Sequence, residues 1–390
     1  MILLDQILQD VRFAARQLRK SWVFTSTAVA VLAVGTAASV AIFAFVDGAL
    51  LKPLPYRNPT RLVGVFGSIP LFERSNLSYP DYLDFKKRNT VFRSLEVYQA
   101  NGFLFTGASG AQIARGARVS DGFFRTLGVA PVLGRDFYSG EDQPEAPRIA
   151  LLSYAAWQAR YGGSRAVLGQ TVVLDGAPNI IVGVLPREFY FPPVGGAEFW
   201  TALHPAGDCD LRRSCHGLFG VARLQDDASV QSALANVKAI AGQLAAQYPN
   251  TNRDQGATVA TLATVIVGEV RPILLVLLIG AGLLLLIAIV NVASLLLVRS
   301  ESRRKEIAVR SSLGASAGRI LRQLITEGLV LVVAGIVSGL ALTSGTWHLL
   351  TKLIPANLMS RMPFWQDLGW NGHVLAFAGS VALLTGVLFS

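Results

Sequence analysis

The chain has 390 residues with a mean hydropathy of +0.45, and only 15% of its residues are charged, against about 25% in an average globular protein. The net charge is +10, but the basic excess lies beside apolar segments, and no basic patch is interleaved with aromatic residues. Length, composition and charge therefore exclude an ordinary soluble domain, and they argue against DNA or RNA as a partner.

The charge deficit comes from four apolar segments, at about 23–46, 273–298, 328–350 and 374–390. About 20 apolar residues in a helix cross a hydrocarbon core of about 30 Å, so the first three segments are long enough to span a membrane. The fourth has 17 residues and reaches the last residue of the chain. The sequence therefore predicts a membrane α-helical protein with four transmembrane helices, the last of them truncated.

Lysine and arginine near the apolar segments predict the orientation. Positions 1–20 carry four basic side chains, and positions 299–322 carry seven against two glutamates. Such residues resist translocation, so both segments are expected in the cytoplasm. A cleaved signal peptide is the alternative at the N-terminus, but the first apolar segment, at 24 residues, is longer than a usual signal core.

Residues 1–20 place apolar side chains at helical spacing with polar ones on the other face. We expect an amphipathic helix that lies in the inner membrane interface, or that extends the first span into the cytoplasm; the two interpretations are compatible. The predicted order is this helix (1–20), the first span (21–46), an outer domain (47–272), the second span (273–298), a cytoplasmic segment (299–327), the third span (328–350), an outer loop (351–373) and the incomplete fourth span (374–390).

The outer domain, inserted between the first two spans, has the composition of a folded α+β unit. Its local signals are serine caps, glycine stops and one Asp-Gly hairpin turn at Asp175-Gly176. They predict helices at about 81–87, 120–128, 153–161 and 230–248, strands on either side of the hairpin turn, and a Thr/Val-rich strand at 257–267.

Signals for chemistry are few. The sequence contains no GxxxxGK[ST] phosphate loop, no HExxH pair and no GxSxG elbow, and its outer acidic residues show no acid–base pairing, so we do not expect an enzyme or a cofactor in this chain. Cys209 and Cys215 have five residues between them and lie in a predicted oxidising compartment. A disulfide is the favoured interpretation, with free thiols and a metal site as the alternatives.

Two polar residues of the predicted spans are candidates for helix packing. The Asn291 amide lies inside the second span, where it can hydrogen-bond to a neighbouring helix. Glu327 lies at the start of the third span, where a carboxylate is costly unless it reaches the interface or a partner such as Arg322 or Arg319.

The cytoplasmic segment carries opposite charges at i,i+4 spacing, which predicts a helix over 299–313 that ends at Gly314. A short, stiff, charged helix suits docking onto a soluble partner, and a plain solvated connector is the alternative. The sequence Arg303-Arg304-Lys305-Glu306-Ile-Ala-Val-Arg310-Ser-Ser-Leu-Gly314 resembles the signature of FtsX-like permeases of the MacB type, with Ala308 and Ser312 replacing the usual small residues.

The outer domain is similar to the periplasmic core domain of the same permeases, at residues 119–137, 168–176 and 182–186. The segment Ser78-Tyr-Pro-Asp-Tyr-Leu-Asp-Phe85 is most similar to acidobacterial duplicated orphan permeases, in which two such units are fused. With its incomplete last span, the chain resembles the first half of such a protein or a truncated unit.

The resemblance implies a mechanotransmission permease of an ATP-driven exporter in a bacterial inner membrane. A separate cytoplasmic ATPase would carry the ATP and dock on Arg303, Arg304, Glu306, Arg310 and Gly314. It further implies contact with membrane lipid, a dimer or second permease half, and a periplasmic or outer-membrane partner. A signalling or scaffold protein that regulates a periplasmic hydrolase or sensor is the alternative, and a membrane-anchored enzyme is a third.

Overall fold

The structure is a computed structural model that describes residues 2–107, 110–268, 271–302, 317–353 and 369–388. Contacts divide the chain into two units, and each is described by itself. The outer unit is Pro53–Gly268, and the membrane unit comprises the described residues before and after it.

The helices of the described ranges begin and end as follows, in chain order: α1 Ile2–Lys20, α2 Trp22–Val46, α3 Tyr79–Arg88, α4 Phe123–Leu127, α5 Tyr154–Tyr161, α6 Gly207–Asp210, α7 Val230–Gln247, α8 Pro249–Asn252, α9 Leu262–Val267, α10 Arg271–Ser302, α11 Ala317–Leu353 and α12 Gly372–Leu388.

The strands are β1 Leu62–Ile69, β2 Phe72–Ser75, β3 Leu77–Ser78, β4 Phe92–Gly107, β5 Gly110–Val119, β6 Leu133–Gly134, β7 Ile149–Leu152, β8 Thr171–Leu174, β9 Ala177–Val184, β10 Phe199–Ala202, β11 His216–Leu224 and β12 Gly256–Thr261.

Three helical segments of the membrane unit are long and apolar enough to cross a bilayer: Trp22–Leu51, Arg271–Val298 and Ile325–Gly345. The apolar helix Gly372–Val387 is shorter, so a fourth span stays a prediction. The amphipathic pattern at the N-terminus does form a helix, α1, which ends in Arg19 and Lys20. Basic side chains in a last turn complement the negative end of the helix dipole.

The outer unit is built on one sheet with the strand order β12-β1-β11-β4-β5-β10-β7-β9-β6, on which β2, β3 and β8 pair at the sides. Most neighbours are antiparallel, whereas β10 runs parallel to β5 and β7 runs parallel to β9. Helices α3 and α7 cover the β1, β11 and β4 region with one apolar core, and a second core lies under β5, β7, β9 and β10. The expected α+β organisation is therefore observed.

Most local signals in the outer domain form the expected elements. The Ser78 and Ser153 hydroxyls accept the first free N–H groups of α3 and α5, which is the role of a cap. Asp175 and Gly176 both have positive φ, of 50° and 76°, and join β8 to β9 in the tight turn that their sequence favours.

Two expected elements differ from the observed ones. The strand predicted over 257–267 ends at Thr261, because the Thr261 hydroxyl accepts the Thr264 N–H at 3.2 Å and starts helix α9. Ser120 does not cap the following helix. Its hydroxyl instead donates to the buried carboxylate of Glu96 at 2.6 Å and accepts the Val97 N–H at 2.9 Å, so α4 begins only at Phe123.

The Phe-Phe-x-x-Leu-Gly motif forms the centre of the outer unit. Phe123 and Phe124 are fully buried, and both pack against Trp200 with ring centroids 6.0 and 5.6 Å apart. Gly128 ends α4 at φ 76°. A side chain there would be strained and would meet Arg57 Cβ at 2.5 Å, which explains why the motif ends in glycine.

Asp136 is a buried acid beside this core. Burial raises the pKa of its carboxyl to about 6, although the Phe137 N–H and Arg125 oppose the shift. The folded chain therefore holds a proton that the unfolded chain, with a pKa near 3.8, releases. The free energy of unfolding should fall, by on the order of 1–3 kcal/mol, as the pH rises from about 4 to about 6.

We expect Asp136→Asn to remove this contribution. The test is urea unfolding of the outer unit, measured in the full chain in detergent micelles. The variant should gain stability relative to the parent as the pH rises, so the difference in unfolding free energy should be larger at pH 7.5 than at pH 4.5. Because the two proteins differ in one titrating group, the difference between their pH profiles isolates it. An identical pH slope in both would show that the raised pKa is absent.

Candidate functional site

The predicted ATPase-coupling residues lie outside the described residues. They are Arg303, Arg304, Glu306, Arg310 and Gly314. Helix α10 is described to Ser302 and α11 from Ala317, so these two helices lead into and out of the segment. The candidate functional site described below therefore consists of the contacts made by α10, α11 and the helices that pack on them.

At the segment's end of the bundle, an ion pair joins α1 to α11. Arg322 Nε lies 2.8 Å from Asp10 Oδ2, and the two side chains are 44% and 18% exposed. A half-exposed pair of this kind contributes at most about 1 kcal/mol, so it orients α1 more than it stabilises it. The sequence suggested Arg322 or Arg319 as a partner for Glu327, and that suggestion stays a prediction. The Asp10–Arg322 pair was missed because the two residues lie far apart in sequence, in the first helix and in α11.

Glu327 is 3% exposed within α11, so the carboxylate is inside the bundle. Asn291 lies on the exposed side of α10, whereas Ala288 and Val292 are buried. The predicted packing roles of Glu327 and Asn291 stay predictions. An exposed amide in an apolar helix is costly in lipid unless a further helix covers it.

Helix α11 packs against α2 through two glycines one turn apart. A Cβ added at Gly335 would lie 2.6 Å from Leu32 Cβ, and one added at Gly339 would lie 2.8 Å from Thr36 Cβ and 2.9 Å from Ala33 O. The spacing is that of the GxxxG motif, which lets helix backbones approach closely in a membrane. These two helices therefore pack as a tight pair.

An adjoining side of α2 packs against α10. The Ser39 hydroxyl donates to the Ala281 carbonyl oxygen at 3.2 Å, and a Cβ at Gly35 would meet Ala288 and Leu285 at 3.4 Å. Helix α2 thus contacts both α10 and α11, the two helices that border the predicted cytoplasmic segment. Displacement of either helix must move α2 or break its contacts, because packed interfaces are not continuously deformable.

At its other end, α2 continues into the π-helical segment Asp47–Leu51 and meets the start of α12. Asp47 is fully buried and accepts hydrogen bonds from Asn371 Nδ2 and His373 Nδ1, both at 2.7 Å. Asn371 Oδ1 also accepts the Val374 N–H at 2.9 Å, so one amide caps α12 and joins it to α2. The sequence did not predict this contact. The available signal was that Asp47 directly follows the first apolar segment and that Asn371-Gly372-His373 directly precedes the fourth.

In the outer unit, a polar cluster surrounds the disulfide between Cys209 and Cys215. Arg213 lies inside the small loop that this bond closes. Its guanidinium is 2.6 Å from Asp81 Oδ1 and 2.5 Å from Asp84 Oδ2, and it lies over the ring of Tyr248 at 3.7 Å from the centroid.

The Arg213 contacts connect three parts of the outer unit. Asp81 and Asp84 belong to α3, and Tyr248 follows α7. Asp81 is also held by the Ser78 hydroxyl at 2.7 Å and by Asn252 Nδ2 at 3.0 Å. The Ser-Tyr-Pro-Asp segment therefore positions a carboxylate that anchors the disulfide loop.

Comparison with known proteins assigns a family to this arrangement. Residues 25–240 match the MacB-like periplasmic core domain, and residues 278–390 match the FtsX-like permease C-terminal domain. The chain belongs to the FtsX/MacB-type ABC permeases. The expected resemblance is thus confirmed at the level of the family, while membership of the duplicated orphan group stays a prediction.

Several curated permeases are similar to this one. The pyoverdine export ATP-binding/permease protein PvdT of Pseudomonas syringae pv. syringae is 27% identical over 274 residues, which cover 66% of this chain and 37% of that protein. The uncharacterized ABC transporter permease YknZ of Bacillus subtilis is 26% identical over 278 residues, 70% of this chain and 64% of that one. The match thus spans less than two thirds of either relative.

Two solved structures also match this permease. The periplasmic region of MacB from Actinobacillus actinomycetemcomitans aligns with a TM-score of 0.39 and 13% identity, over 53% of this chain and 91% of that one. The extracellular domain of YknZ from Gram-positive bacteria aligns with a TM-score of 0.37 and 12% identity, over 51% and 99%. The family places this chain among ABC permeases, membrane proteins with a periplasmic domain.

Proposed function

We propose that this permease is the mechanotransmission subunit of an ATP-driven exporter in the bacterial inner membrane. A separate cytoplasmic ABC ATPase binds and hydrolyses the nucleotide, and this chain converts closure of the ATPase pair into motion of the periplasmic domain. The FtsX-like domain match, together with the packing of α2 against both helices that border the predicted cytoplasmic segment, is the main support for this proposal.

The proposed path starts at the segment 299–314, where the ATPase docks. A push on this segment acts on α10 and α11 at once, because it connects them. The GxxxG contact passes the movement from α11 to α2, and the Asp47–Asn371 hydrogen bond passes it from α2 to α12. A second permease half completes the translocating unit and covers the exposed side of α10 around Asn291.

The docking role is tested by reversing two charges in the cytoplasmic segment. Glu306→Lys together with Arg310→Glu should abolish stimulation of the cognate ATPase by the permease. Each variant side chain would carry the wrong charge for the ATPase surface that is proposed to dock there. ATP hydrolysis is measured with the two proteins co-reconstituted in liposomes, and insertion of the permease is checked by protease protection.

The matched control reverses an acidic and a basic side chain in the outer unit, Arg253→Glu with Asp254→Lys. Both residues are exposed, so this variant should keep full ATPase stimulation. Unchanged stimulation in the Glu306/Arg310 variant would contradict the docking role, and equal loss in both variants would point to a general effect of charge reversal.

A further inference from the structure

A crevice lies at the carboxyl ends of the neighbouring parallel strands β7 and β9. Their last residues, Leu152 and Val184, are register partners, so the chain leaves both strands on the same edge of the sheet. Helix α5 follows β7, and residues 186–188 follow β9. Ligands of open sheets with parallel strands bind in this position, outside the carboxyl ends.

The crevice is a cavity of about 370 Å³, which is within the range of small-molecule sites. Val132 and Leu133 form one side, and Tyr154 and Trp157 of α5 form another. The two aromatic rings stand edge to face, with centroids 5.4 Å apart. Trp157 is fixed in place because its Nε1 donates to the Ser164 carbonyl oxygen at 2.8 Å, so a rigid aromatic surface faces the cavity.

Two arginines and one glutamate, Arg165, Arg187 and Glu188, complete the lining. Neither guanidinium is paired with a carboxylate in the described part of the chain, whereas Arg125, Arg135, Arg160 and Arg213 of the same unit all are. The cavity is therefore positive. Guanidinium groups bind carboxylates through paired hydrogen bonds, and they also stack on flat rings.

We propose that this cavity binds a small amphipathic anion. The flat apolar part of the ligand packs on Trp157 and Tyr154, and its carboxylate lies between Arg165 and Arg187. Binding by itself does not depend on transport. That the anion is the exported cargo rests on the proposed function.

The test uses three probes that share one ring system: 2-naphthoate, 2-naphthylmethanol and 2-naphthylmethylammonium. The full chain is labelled with 5-fluorotryptophan in detergent micelles and observed by fluorine NMR, in which the signal lost in Trp157→Phe identifies Trp157 among the six tryptophans. We expect 2-naphthoate to shift this signal with saturation, at concentrations where the neutral and cationic probes do not.

Arg165→Gln and Arg187→Gln should each weaken 2-naphthoate binding by about tenfold, since each removes one charge-assisted contact. The matched control is Arg148→Gln. Arg148 is exposed and directly precedes β7, so the control removes the same charge from the amino end of that strand, and it should leave the affinity unchanged.

Three outcomes would overturn the proposal: no shift of the Trp157 signal at millimolar naphthoate, an equal shift with the ammonium probe, or equal weakening by Arg148→Gln. Each is measured without an ATPase, so failure of this site is distinguishable from failure of the transport role. If the site binds but ATPase stimulation is absent, the cavity belongs to a binding protein that does not export.

Discussion

Replacing Gly339 with leucine should separate α2 from α11 and uncouple the permease. A Cβ at this position would already lie 2.9 Å from the Ala33 carbonyl oxygen, and a backbone atom cannot move aside cheaply. Overpacking of this kind typically costs about 1–3 kcal/mol. Stimulation of the cognate ATPase should fall by about tenfold or more, in line with that cost.

The separation can be measured directly between nitroxide labels on Val34→Cys and Val337→Cys, since both positions are exposed on α2 and α11. Electron–electron distance measurements should show a longer distance in the Gly339→Leu background. Gly345→Leu is the matched control, because a Cβ at Gly345 has no neighbour within 4 Å. An unchanged label distance in Gly339→Leu would contradict the tight α2–α11 contact.

Arg213→Ala should strongly destabilise the part of the outer unit around α3. It leaves the carboxylates of Asp81 and Asp84 without their cation, and the Asp81 side chain is only 4% exposed. Removing one partner of a buried ion pair costs about 3–5 kcal/mol. Hydrogen exchange of the α3 amides should therefore accelerate strongly in the full chain, as α3 loses its anchor.

Arg253→Ala is the control for this experiment, because Arg253 is exposed and follows α8 directly. It should leave the exchange of α3 unchanged. Reduction of the Cys209–Cys215 disulfide should accelerate α3 exchange in the parent protein but add little in Arg213→Ala, since the loop acts on α3 through Arg213. Equal protection of α3 in the parent and in Arg213→Ala would show that the loop is not an anchor.

Taken together, the contacts make α2 the central helix of the membrane unit. It meets α11 at glycines, α10 at the Ser39 hydroxyl, and α12 at Asp47. At the glycine contacts, no flexible side chain lies between the two helix backbones, so a displacement of one helix moves the other. At Asp47, separating α2 from α12 would leave a buried carboxylate without its hydrogen-bond partners, which is costly. A transmission role requires both properties.

Local chemistry explains which outer elements could be predicted. Serine caps at Ser78 and Ser153, the glycine stop at Gly162 and the Asp175-Gly176 turn depend on neighbouring residues alone. The same reasoning was wrong at Ser120, whose hydroxyl is taken by Glu96 from another strand. The strand predicted over 257–267 was too long because Thr261, although it lies in a run of residues that favour strands, caps helix α9.

The sequence by itself determined that this chain has membrane-spanning segments and which family it belongs to, because hydropathy and short motifs are local quantities. That the charged segment faces the cytoplasm stays a prediction from its basic residues. Only the tertiary structure decided the partners of Asp10, Asp47 and Arg213. Each of these residues contacts a partner that is distant in sequence. The local sequence around a single charged residue does not indicate which distant residue it will contact.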